Sequence, residues 1–217
     1  MKIRTADTRG YIPTSRLGLL NYESYRSFSC MSYQDSQYTN WGPIITINDD
    51  RTKPGFVTAW HEHAGLDIIN YMINGQCRHI DNIGNDNVAV AGQIQHFWCG
   101  RSIWHELSNV GQQDSRYLQI WIQPDSIDWD KTPKYELINR VPGFAPLPIA
   151  FKNSKFSCWA GELDQCLETN DLSYLLVLEG SCTVNDVELN EGDAVEIDQI
   201  SLIRPNKTPH LILFELN

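Results

Sequence analysis

Along most of the chain, short stretches either alternate apolar with polar residues or run several apolar residues together. The first habit suits a strand with one face in water, the second a strand buried on both faces. Ile44-Ile45-Thr46-Ile47, Asp67-Ile68-Ile69-Asn70-Tyr71-Met72-Ile73 and Tyr117-Leu118-Gln119-Ile120-Trp121-Ile122 are examples. Turn-forming clusters separate such stretches: Asn74-Gly75, Gly84-Asn85-Asp86-Asn87, Ala91-Gly92, and Asn109-Val110-Gly111-Gln112-Gln113-Asp114. No window sustains the 3.6-residue period of an amphipathic helix. The pattern predicts an all-β chain.

From Pro124 onward, Pro133, Pro142, Pro146 and Pro148 follow within a segment that has few apolar runs, and this is the natural linker or boundary. Beyond it the earlier phrasing returns. Tyr174-Leu175-Leu176-Val177-Leu178-Glu179-Gly180 echoes Ile69-Asn70-Tyr71-Met72-Ile73-Asn74-Gly75, and Leu189-Asn190-Glu191-Gly192-Asp193 echoes Val90-Ala91-Gly92-Gln93. Two β-sandwich or barrel modules of one type, arisen by duplication, are expected, with residues 1–140 in the first and 141–217 in the second.

Charge narrows the partners. The 217 residues carry 17 Lys+Arg against 27 Asp+Glu, a formal net charge of −10, without a dense basic block. Such a surface repels phosphate backbones and anionic lipid, so no direct nucleic-acid or membrane partner is expected. A small molecule or another protein is. The first nine residues mix both charges and lack an apolar core, which is unlike a secretory signal, and no apolar run is long enough for a membrane helix. A cytoplasmic location is the corresponding expectation. Cys30, Cys77, Cys99, Cys158, Cys166 and Cys182 are scattered without a C-x-x-C, as buried free thiols would be.

The histidines offer chemistry. His61 and His63 are one residue apart, so on a strand both imidazoles leave from the same face, as a shared metal requires. His105 lies in a later strand-like stretch, Ile103-Trp104-His105. Three imidazoles with open positions suit Fe, Ni, Mn, Cu or Zn, and ligand type alone does not choose among these divalent metals.

Gly55-Phe56-Val57-Thr58-Ala59-Trp60-His61-Glu62-His63, followed by Asp67 and Gly75, resembles the first motif of the cupin superfamily, with Asp in place of Glu and the last glycine one residue late. Gly92, Gly100, His105 and Asn109 resemble the second motif in the displaced form of the pirin family. Trp41-Gly42-Pro43 running to Ile47-Asn48-Asp49-Asp50, His79-Ile80-Asp81-Asn82-Ile83-Gly84-Asn85, and Gln119-Ile120-Trp121-Ile122-Gln123-Pro124 resemble pirin phrases in the same order. The likeness runs from about residue 16 to Pro133-Lys134-Tyr135; beyond residue 150 it is a general cupin likeness.

The resemblance implies a bicupin of two tandem jelly-roll-like β-barrels, the first with a metal site formed by His61, His63 and His105 and the second a degenerate module without one, acting as a lid or dimer partner. The fourth pirin ligand is a Glu two residues after the last His, where this chain has Leu107. Glu106, Asp67 or a water is left to complete the shell. On an ideal strand Glu106 faces away, and a β-bulge would be needed to bring it inward. His79 and His96 read as hydrogen-bonded or solvent-facing imidazoles, His210 as a surface residue, Trp98 and Trp104 as core or pocket wall, and Cys99 as a small buried group or part of the pocket lining.

The function implied by the resemblance is a metal-dependent dioxygenase of the quercetinase type acting on a small phenolic substrate, with Glu106 or Asp67 as proton acceptor. The alternative is a non-catalytic cupin, a metal or redox sensor or protein-interaction module, whose site is incomplete or empty because Leu107 replaces the anionic ligand.

Overall fold

The structure is a computed structural model describing residues 1–13, 20–126 and 131–216. The start of the pirin-like phrases at residue 16 and residues 127–130 of the proline-rich stretch lie outside the described residues. The fold is all-β, two tandem cupin units, and no helix is long and apolar enough to cross a membrane. One unit comprises Gly10–Arg140 with Ala150–Asn153, the other Met1–Arg9, Val141–Ile149 and Ser154–Asn217.

In the first unit a seven-stranded antiparallel sheet runs in the order Lys134–Asn139, Gln93–Trp98, Asp67–Asn74, Ser115–Ile122, Ile44–Thr52, Tyr22–Arg26, Gly10–Ile12. A four-stranded sheet follows the order His61–His63, Ile103–Ser108, Gln76–Asp81, Asp86–Val90. Burial explains the two sequence habits. Asp67–Asn74, third across the larger sheet, is buried at every residue but Asn74 and reads as a continuous run. Ile103–Ser108 alternates, with Ile103, His105 and Leu107 buried, Trp104 exposed and Glu106 partly exposed.

The chain leaves the larger sheet for the smaller at Gly75, between Asp67–Asn74 and Gln76–Asp81. Its φ is +71°, and a Cβ there would stand 2.6 Å from the Ser115 Cα, so only glycine fits. The proline-rich stretch is more than a linker: Lys134–Asn139 pairs with Gln93–Trp98 as the edge strand of the larger sheet. Its burial is shallow, with no residue fully buried, as an edge position allows.

The second unit is an eight-stranded sheet around Leu175, Val177, Val195, Leu211 and Leu213. Residues 1–9 pair here, whereas the sequence reading grouped them with residues 10–140. Lys2–Arg4 runs antiparallel to Ala194–Ile197, the Met1 ammonium meets Asp198 Oδ1 at 2.8 Å, and the Ala6 N–H donates to Asp193 Oδ1 at 2.7 Å. Residues 150–153 belong conversely to the first unit, where the Lys152 N–H donates to Asp67 Oδ2 at 2.7 Å. The repeated glycine phrase is also used in two ways. Gly180, with φ +77°, sits inside the unbroken strand Ser173–Val184 at a register shift, whereas Gly75 separates two strands.

Candidate metal centre

The strand register assembles the three histidines. His61–His63 pairs antiparallel with Ile103–Ser108 so that His105 stands opposite His61 and Ile103 opposite His63. The pairing continues past the strand end: the Thr58 N–H donates to the Leu107 carbonyl at 2.8 Å and the Leu107 N–H to Thr58 Oγ1 at 2.9 Å. Glu62, between the two histidines, turns to the other face and accepts from Ser102 Oγ at 2.5 Å. The ring centroids lie 4.4 Å (His61–His105), 4.9 Å (His61–His63) and 5.1 Å (His63–His105) apart, and one ligand atom from each falls within 4.8 Å of the others.

Hydrogen bonds decide which nitrogens are free. His61 Nδ1 lies 2.9 Å from the Ala59 carbonyl, which can only accept, so Nδ1 carries the proton and Nε2 keeps its lone pair. His105 Nδ1 is 3.3 Å from His79 Nδ1, and His79 Nε2 is 3.1 Å from Asp81 Oδ2. The Nε2 atoms of His63 and His105 are buried with no hydrogen-bond partner. Leaving a buried polar atom unpaired costs about 1–3 kcal/mol, and two such atoms beside a third free nitrogen fit a divalent cation. Protonation also favours ligation. Burial, followed by the neighbouring His61, pushes His63 down to about 4, and burial holds His105 far below the ordinary imidazole range. Both rings are neutral at pH 7.

The carboxylates stand elsewhere. Among the described residues the group that could hold a metal ion is His61, His63 and His105, without Glu106 or Asp67. The strand alternation puts Glu106 on the face opposite His105, where its charge acts on Arg78. No bulge interrupts the pairing of Ile103–Ser108 that would turn it inward. Asp67 is fully buried and already engaged, accepting from His96 Nε2 at 2.6 Å and from the Lys152 N–H. Leu107 is 1 % exposed and packs with Met72, Cys77, Ala89 and Tyr117.

A cavity of about 590 Å³ opens against His61, His63, Leu107 and Trp121. It also reaches residues that sequence reasoning did not single out: Tyr22, Arg26, Asn48 and Asp50. Tyr22 Oη donates to Asp50 Oδ1 at 2.8 Å, and Arg26 donates to Asn48 Oδ1 at 3.2 Å. Burial pushes Asp50 up to about 6 against the opposing pull of Arg26. The available signal was Asp49-Asp50 inside a strand otherwise built for burial. Alternation sends Asp49 to a paired Arg116 (2.8 and 2.9 Å), and Asp50 to the cavity.

Among the other residues, His210, Trp104 and Cys166 depart from expectation and the rest meet it. His210 is buried, 3.5 Å from Glu179, rather than on the surface. Trp98 is buried but Trp104 is exposed, and Cys166 is the exposed thiol among five buried ones. Cys99 packs with Ile68, Phe97 and Ile103. His79 and His96 are both buried and hydrogen-bonded.

Comparison with known proteins identifies the family. The pirin family model matches residues 6–122. The chain belongs to the pirin family. In this pirin a second match, to the quercetinase C-terminal cupin domain, covers residues 159–216. It is 32 % identical over 193 residues to the pirin-like protein of Caulobacter vibrioides, covering 81 % of this chain and 83 % of that one. It is 26 % identical over 232 residues to the quercetin 2,3-dioxygenase of Escherichia coli, covering 99 % and 97 %. The crystal structure of a bacterial pirin from Escherichia coli in complex with nickel(II) shares its fold, with a TM-score of 0.86 at 23 % identity over 99 % of this chain and 98 % of that one.

Proposed function

We propose that this pirin is a metal-dependent dioxygenase whose substrate is a small phenolic compound of the flavonol type. The observation that carries this reading is the convergence of three imidazoles, two with buried unpartnered Nε2 atoms, beside a cavity that His61 and His63 line and that is large enough for a small aromatic molecule. The quercetin dioxygenase name of a relative that spans nearly the full chain supports the substrate class. When bound at His61, His63 and His105, a divalent transition metal would supply Lewis acidity, lowering the pKa of a coordinated phenol.

The chain's own residues would do the rest. Phe56, Leu107 and Trp121 give the cavity apolar walls against which an aromatic ring can lie. The partly exposed His61 opens the metal position to the cavity, while the buried His63 and His105 keep water from the other side. With Leu107 in the expected carboxylate position, the buried acid of the cavity wall is Asp50. Burial sets it near 6, so in neutral water its carboxylate is ionised and poised to take a hydroxyl proton, with Tyr22 Oη and Arg26 holding the charge.

The test is flavonol consumption by metal-free and metal-loaded protein, in parallel with His61→Ala and His105→Ala. We expect activity only in the loaded wild type. An unchanged rate in metal-free protein refutes the reading. Leu107 specifically favours one second reading, a metal-binding module without turnover; loaded protein that consumes no polyphenol would establish it.

A further inference from the structure

His105 is backed by two residues outside the ligand set, and their hydrogen bonds fix the direction of every proton between them. Asp81 Oδ1 accepts from the Ile83 N–H at 3.0 Å and the Asn85 N–H at 2.9 Å, and Oδ2 accepts from Asn85 Nδ2 at 2.8 Å. A carboxyl group receiving that many donors is ionised and can only accept from His79 Nε2, 3.1 Å away. His79 is fully buried, and with its ring proton on Nε2 directed at Asp81 its Nδ1 is bare and accepts in turn. His105 Nδ1 therefore carries the proton that spans the 3.3 Å to His79, and His105 Nε2 is left as a lone pair. Tyr135, stacked on His79 at 4.3 Å and 19°, holds the middle ring in plane.

The other side of the same strand pairing explains why such a relay matters. Leu107 stands opposite His79, and His105 opposite Asp81. At the position where the family resemblance expects an anionic ligand the chain offers an apolar one, while an anion is wired to the back of the neighbouring histidine. A histidine that donates its second ring N–H to a strong acceptor becomes a more basic ligand, and hydrogen bonds in series polarise one another.

We propose that Asp81, acting through His79, supplies His105 with the negative charge that Leu107 withholds from the metal centre, so that divalent-metal affinity depends on a carboxylate two hydrogen bonds away. Asp81 and His79 are thus positioning residues, which touch neither metal nor substrate. The proposal rests on His61, His63 and His105 being the metal site.

The experiment measures nickel(II) affinity of the whole protein by competition with a chelator. If His61→Ala and His105→Ala bind nickel as the wild type does, the metal-site reading itself fails. If they lose it, Asp81→Asn is expected to weaken binding about 10–100-fold. Asn85→Ala, which loosens the same turn but leaves the charge, should stay near wild type. In a Leu107→Glu background the loss caused by Asp81→Asn should shrink, because the charge is then present in the ligand set. An equal loss in both backgrounds, or an equal loss from Asn85→Ala, overturns the relay. A second measurement needs no variant. In metal-free wild type, nitrogen-15 spectra of the histidine rings should show His105 as the Nδ1–H tautomer; an Nε2–H tautomer overturns the proposal.

Discussion

Acidification of the metal-free protein should destabilise it through its buried histidines, and His63 gives the size of the effect. In the unfolded chain its imidazole titrates near 6.5, and in the folded protein burial and His61 bring it down to about 4. The folded state therefore binds fewer protons than the unfolded state between those values. Stability is fully present above 6.5 and is lost as pH falls toward 4. At pH 7.5 both states are neutral at this ring; at pH 5 the unfolded ring is almost wholly protonated and the folded ring about one-tenth so. The difference is about 2 kcal/mol of folding stability, of the order of a fifth of a typical domain's total. The same sign applies to His105. Urea unfolding of metal-free wild type and His63→Gln at pH 7.5, 6 and 5 isolates the term, because other titrating groups cancel in the difference. The wild type should lose about 2 kcal/mol more than the variant between pH 7.5 and 5. Parallel stability curves for the two proteins would refute a His63 held neutral by burial.

Three further outcomes follow from named contacts. Leu107→Glu replaces a side chain that is 1 % exposed with a carboxyl group, and should lower metal-free stability by about 2 kcal/mol or more while strengthening nickel binding, both readable from melting curves with and without the ion. Glu106→Gln should leave metal content and affinity at wild-type levels in a chelator competition, since Glu106 faces Arg78 rather than the histidines. Gly75→Ala should cost about 2 kcal/mol or more in denaturant unfolding, because the added Cβ meets the Ser115 backbone at 2.6 Å and φ stays at +71°.

What could be read from the sequence was what period and parity carry. The alternation of Ile103–Ser108 and the His61-x-His63 spacing both follow from a two-residue repeat, so the three-histidine face and the outward turn of Glu106 were legible before any coordinates. His79-x-Asp81 has the same spacing and was equally available as a pair on one face. Its partner His105 was not, since that contact depends on which strands lie side by side. Long-range pairing also hid the allegiance of the first nine residues. Lys2 meets Glu196, 194 positions away, through a three-residue strand too short for periodicity to register. Asp67 illustrates a different limit. Its position in the cupin-like motif suggested a ligand, but a buried carboxylate goes to whichever donors surround it, and here these are His96 and the Lys152 N–H. His210 was misread for want of a partner histidine, when its partner is Glu179 on the paired strand.

Metal stoichiometry tests the central claim most directly. Elemental analysis of wild-type protein after incubation with nickel(II) and removal of excess ion should give one bound ion per chain, with His61→Ala and His105→Ala near zero. Wild type that retains no ion, or alanine variants that retain as much as wild type, would contradict a metal centre at His61, His63 and His105.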